Sequence, residues 1–315
     1  MTLDLNALLA GPLSDTVKGL SPRAVGQPLG ALGSLGLSVL AGDLPLPAAV
    51  LKDSALAHNS AWMRGFTERA GVSLCPHGKT TMAPQLFQRQ LDAGSWGITA
   101  ATASHVRTYR RFGVPRVLMA NQLVGRANVD MVLDELAADP GFDFYCLVDS
   151  LEGLAQLQFA LARRPPQAPL QVLLEIGMPG GRTGVRSLQE AQALGRALRD
   201  AAPALALRGI EGYEGVAGGD DHTRIELAVH GLLETLVEVA RLGHEERWFA
   251  PGEIILTAGG SAFFDMAAAV LAAVPSHRPT RVVMRSGCYL SHDSLHYERM
   301  QARLRQRAGA LWGSG

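Results

Sequence analysis

Short apolar runs of β-type residues alternate with stretches of helical period along most of this chain. Beyond Pro47, eight such runs stand out, at 72–76, 97–102, 116–121, 144–149, 171–177, 207–212, 253–258 and 281–285. Between them the spacing changes. Val129, Val132, Leu133 and Leu136 fall at i, i+3, i+4 and i+7, and Leu151, Leu154 and Leu161 follow the same rule less strictly. Ser187 with Glu190 has the form of a capping box that opens a further helix. The longest helical stretch, 221–242, sets Ile225, Ala228, Val229, Leu232, Leu236 and Val239 on one broad apolar face. Strand and helix in alternation predict a parallel sheet with crossover helices. Eight β/α units in about 250 residues have the size and rhythm of a (β/α)8 barrel. A doubly wound open sheet reads the same way and stays open as the alternative. Residues 1–45, rich in Gly, Leu and Pro and weakly periodic, form an N-terminal segment that leads into a barrel over 46–300.

Composition narrows the class of function. The 315 residues are 47% hydrophobic and 18% charged, as in a globular protein with a large core. Lys+Arg and Asp+Glu balance at 29 each, which leaves no electrostatic footprint for nucleic acid or an anionic membrane. The longest apolar run, 266–274, is far short of the ~20 residues of a spanning helix. The start, Met1-Thr2-Leu3-Asp4, lacks the basic opening of a secretory signal. Three cysteines, Cys75, Cys146 and Cys288, with no CxxC pair, favour buried thiols in a reducing compartment, with the cytoplasm as default.

In a barrel the functional groups follow the C-terminal ends of the strands. After the first strand comes Cys75-Pro76-His77-Gly78-Lys79-Thr80-Thr81-Met82. A lysine at the inner rim would be desolvated and partly neutral, as Schiff-base chemistry requires. The plainer reading is a solvated loop lysine. Gly78-Lys79-Thr80 is not the end of a phosphate-binding Walker A loop. Ser73 stands where that motif needs its first glycine, and Pro76 has no N–H to offer. After the seventh strand, Thr257-Ala258-Gly259-Gly260-Ser261 leads into a helix expected from about Ala262. Paired glycines let backbone N–H groups approach an anion, and the Ser261 hydroxyl adds a donor. Ser286-Gly287-Cys288-Tyr289 follows the eighth strand, and loops after strands seven and eight are the recurrent phosphate site of such barrels. A Gly-Gly-Ser turn alone is more often only a turn.

The stretch Cys75–Met82 resembles the RPHxKTxK segment of D-threonine aldolases and eukaryotic-type D-serine dehydratases. It is closer still to the bacterial amino-acid deaminases of that group, and the resemblance covers about residues 45 to 300. It implies a (β/α)8 barrel of the alanine racemase N-terminal type, pyridoxal 5'-phosphate as cofactor, and Lys79 as the residue that carries it. Gly181-Arg182-Thr183-Gly184-Val185 is similar to the family's GRxGV segment, whose arginine approaches the cofactor's phenolic oxygen. Glu211-Gly212-Tyr213-Glu214-Gly215 is similar to the AYHG segment, whose tyrosine faces the pyridine nitrogen. Gly259, Gly260 and Ser261 would hold the phosphate, with Thr80, Asn121 and Ser286 as further candidates at strand ends. On the residues alone, the plainer reading of Arg182 is a helix-capping or surface arginine, and Tyr213 reads also as barrel packing.

Two departures from the family pattern matter. Its leading arginine is Cys75 here, and a later lysine gives way to Met82-Ala83-Pro84. The family's C-terminal β-domain carries a His-x-Cys or His-x-Asp pair for a divalent metal, zinc or manganese. No such pair closes this sequence, so that domain is expected to be largely absent and 301–315 to be only its truncated start. His292, Asp293 and His296 are the alternative ligand set. The resemblance implies a lyase that acts on small β-hydroxy D-amino acids, most simply a dehydratase or deaminase giving a 2-oxo acid and ammonia, in a homodimer. An aldolase giving glycine and an aldehyde, and a non-catalytic or incomplete cofactor-binding barrel, remain the alternatives.

Overall fold

The computed structural model describes residues 2–217, 221–274, 277–292 and 296–312. Eight strands form one sheet: β1 Ser73–Leu74, β2 Ile98–Ala100, β3 Arg116–Gln122, β4 Asp143–Val148, β5 Leu170–Ile176, β6 Leu205–Gly212, β7 Ile254–Ala258 and β8 Thr280–Met284. Their order is β1-β8-β7-β6-β5-β4-β3-β2, and every pairing is parallel. The two ends of that order meet. Trp96 N–H donates to the Leu74 carbonyl at 2.7 Å, Thr99 N–H to Pro76 at 2.8 Å, and His77 bridges Thr99 in parallel. The sheet closes into a barrel, which decides against the doubly wound alternative. A doubly wound sheet would reverse its strand order at one point, and this one runs through in sequence.

The period-two alternation of each strand sorts the core into two parts. Outward residues such as Val117, Phe144, Val172, Leu256 and Met284 meet the surrounding helices in the main cluster. Inward residues Leu118, Tyr145, Leu173, Ile255 and Val283 form a separate cluster that fills the barrel. Two residues earlier on the same strands, the inner face is polar. Arg116 pairs with Asp143 at 2.6 Å and Arg281 with Glu253 at 2.7 Å, and both guanidinium groups lie over Trp96, at 4.5 and 6.0 Å. That layer closes the bottom of the barrel. Two residues later lie Glu175, Thr257 and Arg285, with Glu211 on β6, at the end where loops carry function.

The helices follow the pattern of the sequence. The stretch expected at 221–242 is the helix His222–Glu245, capped by the Asp221 side chain on Arg224 N–H at 3.1 Å. Ser187 caps Leu188–Asp200 through Glu190 N–H at 3.1 Å, while Glu190 reaches back to Arg186 N–H, one residue short of a standard capping box. The N-terminal segment contains the helix Asn6–Ala10 and two 3-10 turns, tied to the barrel by Leu3 N–H on Gln88 and Asp4 N–H on Phe112. At the other end, His296–Trp312 is one helix, held by Arg307 to Asp265 at 2.9 Å and Glu226 at 2.8 Å. No helix of the described residues is long and apolar enough to cross a membrane.

Candidate functional site

Lys79 lies in a 3-10 turn, Gly78–Thr80, directly after β1 at the upper end of the barrel. The turn packs tightly. A side chain at Gly78 would fall 2.6 Å from the Tyr109 hydroxyl and 2.9 Å from Ile98, so only glycine lets the lysine follow there. The Lys79 side chain is exposed rather than sunk in the inner rim, as the sequence suggested. Its pKa is nevertheless lowered from 10.5, first by desolvation and then by the charges of Arg182 and Arg285, with Cys288 opposing. Beside it, His77 is pushed well below 6.5 by burial and by the cations Lys79, Arg285 and Arg182. His77 is therefore neutral near pH 7, and its Nδ1 is buried with no hydrogen-bond partner.

Arg182 and Tyr213, far apart in sequence, come together, with the guanidinium carbon 5.0 Å from the centre of the tyrosine ring. The 181–185 loop is fastened under them by Thr183 Oγ1 on Glu175 Oε1 at 2.5 Å and by paired bonds between Gly177, Glu175 and Val185. Burial, then the nearby Glu214 charge, raises the Tyr213 phenol. A side chain at Gly215 would lie 2.3 Å from that phenol oxygen, so only glycine leaves room for the ring there.

The paired glycines do form an anion cradle, and the chain fills it itself. Gly259 N–H donates to Glu214 Oε2 at 3.2 Å, and Gly260 N–H to Glu214 Oε1. Gly259 has φ +82°, a left-handed conformation that suits glycine. Its carbonyl is held by Ser286 Oγ at 3.0 Å and by Arg285 N–H at 3.1 Å, so Ser286 braces the cradle. Ser261 Oγ accepts from Cys288 N–H at 3.4 Å and joins the two loops. The helix begins at Phe264 rather than near Ala262, because Phe263 is its N-cap residue. Of the further candidates, Thr80 lies against Gly287 across the mouth, and Asn121, exposed, donates to the Ala101 carbonyl at 3.0 Å.

Below this rim lies a charged layer that the sequence reading missed. Arg285 is 2% exposed and reaches Glu211 Oε1 at 2.5 Å, Thr257 Oγ1 at 2.8 Å and the Gly212 carbonyl at 3.0 Å. Glu211 Oε2 is buried with no partner. Glu175 accepts from Gln122 and Thr183. Strand parity could have found them, since Glu175, Thr257 and Arg285 each lie two residues beyond an inward apolar residue of the same strand.

Burial raises the carboxyls of Glu175 and Glu214, and it pushes Glu211 up to about 8 against the opposing charge of Arg285. A carboxyl whose pKa is higher folded than unfolded contributes stability at low pH and loses it as pH rises through the folded value. The window here runs from the ordinary 4.5 to about 8. The ligand-free protein should therefore melt at a lower temperature near pH ~8.5 than near pH ~6, and Glu211→Gln should flatten the slope. The lowered surface carboxylates Asp130, Asp139 and Glu246 titrate below this window, and the lowered His77 and His105 oppose the fall only over the short span between pH ~6 and their ordinary 6.5. A flat profile in the unmodified chain would refute this account.

Among the described residues no group of three or more His, Cys, Asp or Glu side chains could hold a metal ion. His292 is described, with φ +61°, whereas Asp293 and the His296 side chain lie outside the described residues.

The chain is 29% identical over 202 residues to a D-threo-3-hydroxyaspartate dehydratase from Delftia sp. (strain HT23), which covers 64% of this chain and 50% of that protein. The chain thus spans about half the length of this curated relative. Among solved structures, the D-threonine aldolase from Filomicrobium marinum superposes with TM-score 0.63 at 22% identity, over 79% of this chain and 62% of that one. The Delftia dehydratase gives TM-score 0.63 at 24% identity, over 78% and 61%. At such identities these two likenesses establish the fold. The sequence profile of the alanine racemase, N-terminal domain, matches residues 52–251, well over half of the chain, and this protein belongs to that family.

Proposed function

We propose that this chain is the cofactor-bearing barrel of a pyridoxal-phosphate-dependent lyase that acts on β-hydroxy D-amino acids, and that it releases a 2-oxo acid and ammonia. One observation carries the reading: an amine with lowered pKa, Lys79, shares the barrel mouth with a cradle of backbone N–H groups already gripping an oxyanion. An aldehyde needs a neutral amine, and a phosphate needs convergent donors. The residues present fit both demands. Lys79 would hold the coenzyme at its aldehyde carbon, Gly259 and Gly260 with Ser261 at its phosphate, and Arg182 with Tyr213 would flank the ring.

When bound, the coenzyme supplies the electron sink that makes the substrate Cα proton acidic. The protein's share is proton transfer and orientation. Lys79 Nζ would take the Cα proton, and its lowered pKa favours the neutral amine that this needs. The Arg182 and Arg285 charges that lower it also draw an anionic substrate toward the mouth. Neutral His77, beside Lys79, adds no competing positive charge, and its unpartnered Nδ1 is free to accept or donate one bond.

The relative at 29% identity carries the name of a dehydratase, which favours loss of the β-hydroxyl over cleavage of the Cα–Cβ bond. The test is to supply the coenzyme-loaded chain with D-serine, D-threonine and D-threo-3-hydroxyaspartate and to follow ammonia, 2-oxo acid and aldehyde. Ammonia with a 2-oxo acid supports the proposal. Aldehyde with glycine replaces it by aldol cleavage, and no product above free coenzyme, with Lys79 loaded, removes the lyase reading.

A further inference from the structure

The glycine pair after β7 already holds an anion, and that anion is a side chain of this protein. Glu214 is fully buried, and both of its carboxylate oxygens are spent on the backbone N–H groups of Gly259 and Gly260. It sits in the 3-10 turn Glu214–Val216 after β6, so the contact joins the exits of two neighbouring strands. A Cβ on Gly260 would come within 3.1 Å of Glu214 Oε1, which shows how closely the carboxylate lies over the glycines.

We infer that Glu214 is an internal anion occupying the phosphate cradle, and that a phosphoryl ligand enters by displacing it. The inference rests on the proposed function only for the identity of that ligand. A phosphate and a carboxylate cannot share the same two donors. Each needs those N–H bonds, and two anions at hydrogen-bond spacing repel strongly where water is excluded. The geometry also makes Glu214 a ligand that yields. Its cationic counterweight is Arg285, which Glu211 already engages. Burial works against its charge, and Tyr213 and Glu211 are its polar neighbours. With Glu214 in place the cradle keeps its shape when empty, because the donors stay satisfied and the loops do not collapse. The cost is competition, since every phosphoryl ligand binds more weakly by the free energy of removing the carboxylate.

The experiment is titration of the 315-residue ligand-free chain with inorganic phosphate by calorimetry, for the unmodified protein, Glu214→Gln and Glu214→Ala. Glutamine keeps the shape and removes the charge, so it serves if the alanine variant does not fold. Glu214→Gln should bind phosphate at least about tenfold more tightly, and Glu214→Ala more tightly still. Equal or weaker binding in Glu214→Gln overturns the inference, as does absence of phosphate binding in every form, because Glu214 would then be a structural brace alone. Capture of pyridoxal, which lacks the phosphate, on Lys79 is read in parallel and should be the same with and without Glu214. Capture on Lys79 with unchanged phosphate affinity rejects this inference and keeps the proposed function. Tighter phosphate in Glu214→Gln with no capture on Lys79 does the reverse.

Discussion

Borohydride reduction of the full chain mixed with pyridoxal phosphate should leave a pyridoxyl group on Lys79 and on neither other lysine. The sequence makes this a clean experiment, because its lysines are only Lys18, Lys52 and Lys79. Lys18 and Lys52 are exposed, the first in the N-terminal segment and the second at the start of the helix Asp53–Ala70. Lys79 sits beside half-buried His77, where desolvation and the charges of Arg182 and Arg285 lower its pKa. A neutral amine attacks an aldehyde and an ammonium does not, so capture should rise with pH through a midpoint below the ordinary lysine value of 10.5. Lys79→Ala should abolish the visible band and all stoichiometric capture. Arg182→Ala should keep capture but move its midpoint upward, because one of the opposing charges is gone. Label on Lys52, or an undiminished band in Lys79→Ala, would end the assignment.

The fold was legible because its signals are repeated. Eight alternations of β-type and helical period each carry the same message, and the Ser187 cap was visible as a side-chain type at the right place. Closure was not legible. It depends on the short β1, on β2 and on the bridge from His77 to Thr99, none of which differs in pattern from an open edge. At the site, Lys79, Arg182, Tyr213 and the two glycines were named from motifs, and the structure brings them to one mouth. Glu214 was quoted within a motif and given no role, since only three-dimensional structure shows its carboxylate reaching from the exit of β6 to glycines 45 residues away. Glu211 and Arg285 were hidden differently. Glu211 lies near the end of β6 and Arg285 directly after β8, in runs read for their apolar members, so their polarity passed as strand-end variation, although their parity places them indoors.

Near pH ~8.5, where Glu211 is ionised, Arg285→Met should be the most destabilising single change in the upper barrel, at about 3–5 kcal/mol, because it leaves a buried carboxylate unpaired. Glu211 is 1% exposed and one of its oxygens already has no partner, so removing the guanidinium strips the other of its ion pair. Thr257 Oγ1 and the Gly212 carbonyl would lose donors as well. The carboxyl can escape only by taking a proton, which its raised pKa already favours, so the loss should be smaller near pH ~6 than near pH ~8.5. Methionine approximates the stem of arginine, and the defect is therefore one of charge more than of volume. That is checked by a second change. Adding Glu211→Gln to Arg285→Met removes the stranded charge and should recover half or more of the lost stability in denaturant unfolding. The substitution has a functional reach too, because the Arg285 charge helps to lower the pKa of both Lys79 and His77. In the double variant, folded again but without that cation, capture of pyridoxal phosphate should need a higher pH than in the unmodified chain. A single variant within about 1 kcal/mol of the parent would show that the Glu211–Arg285 pair does not govern this layer, and so would a double variant no better than the single.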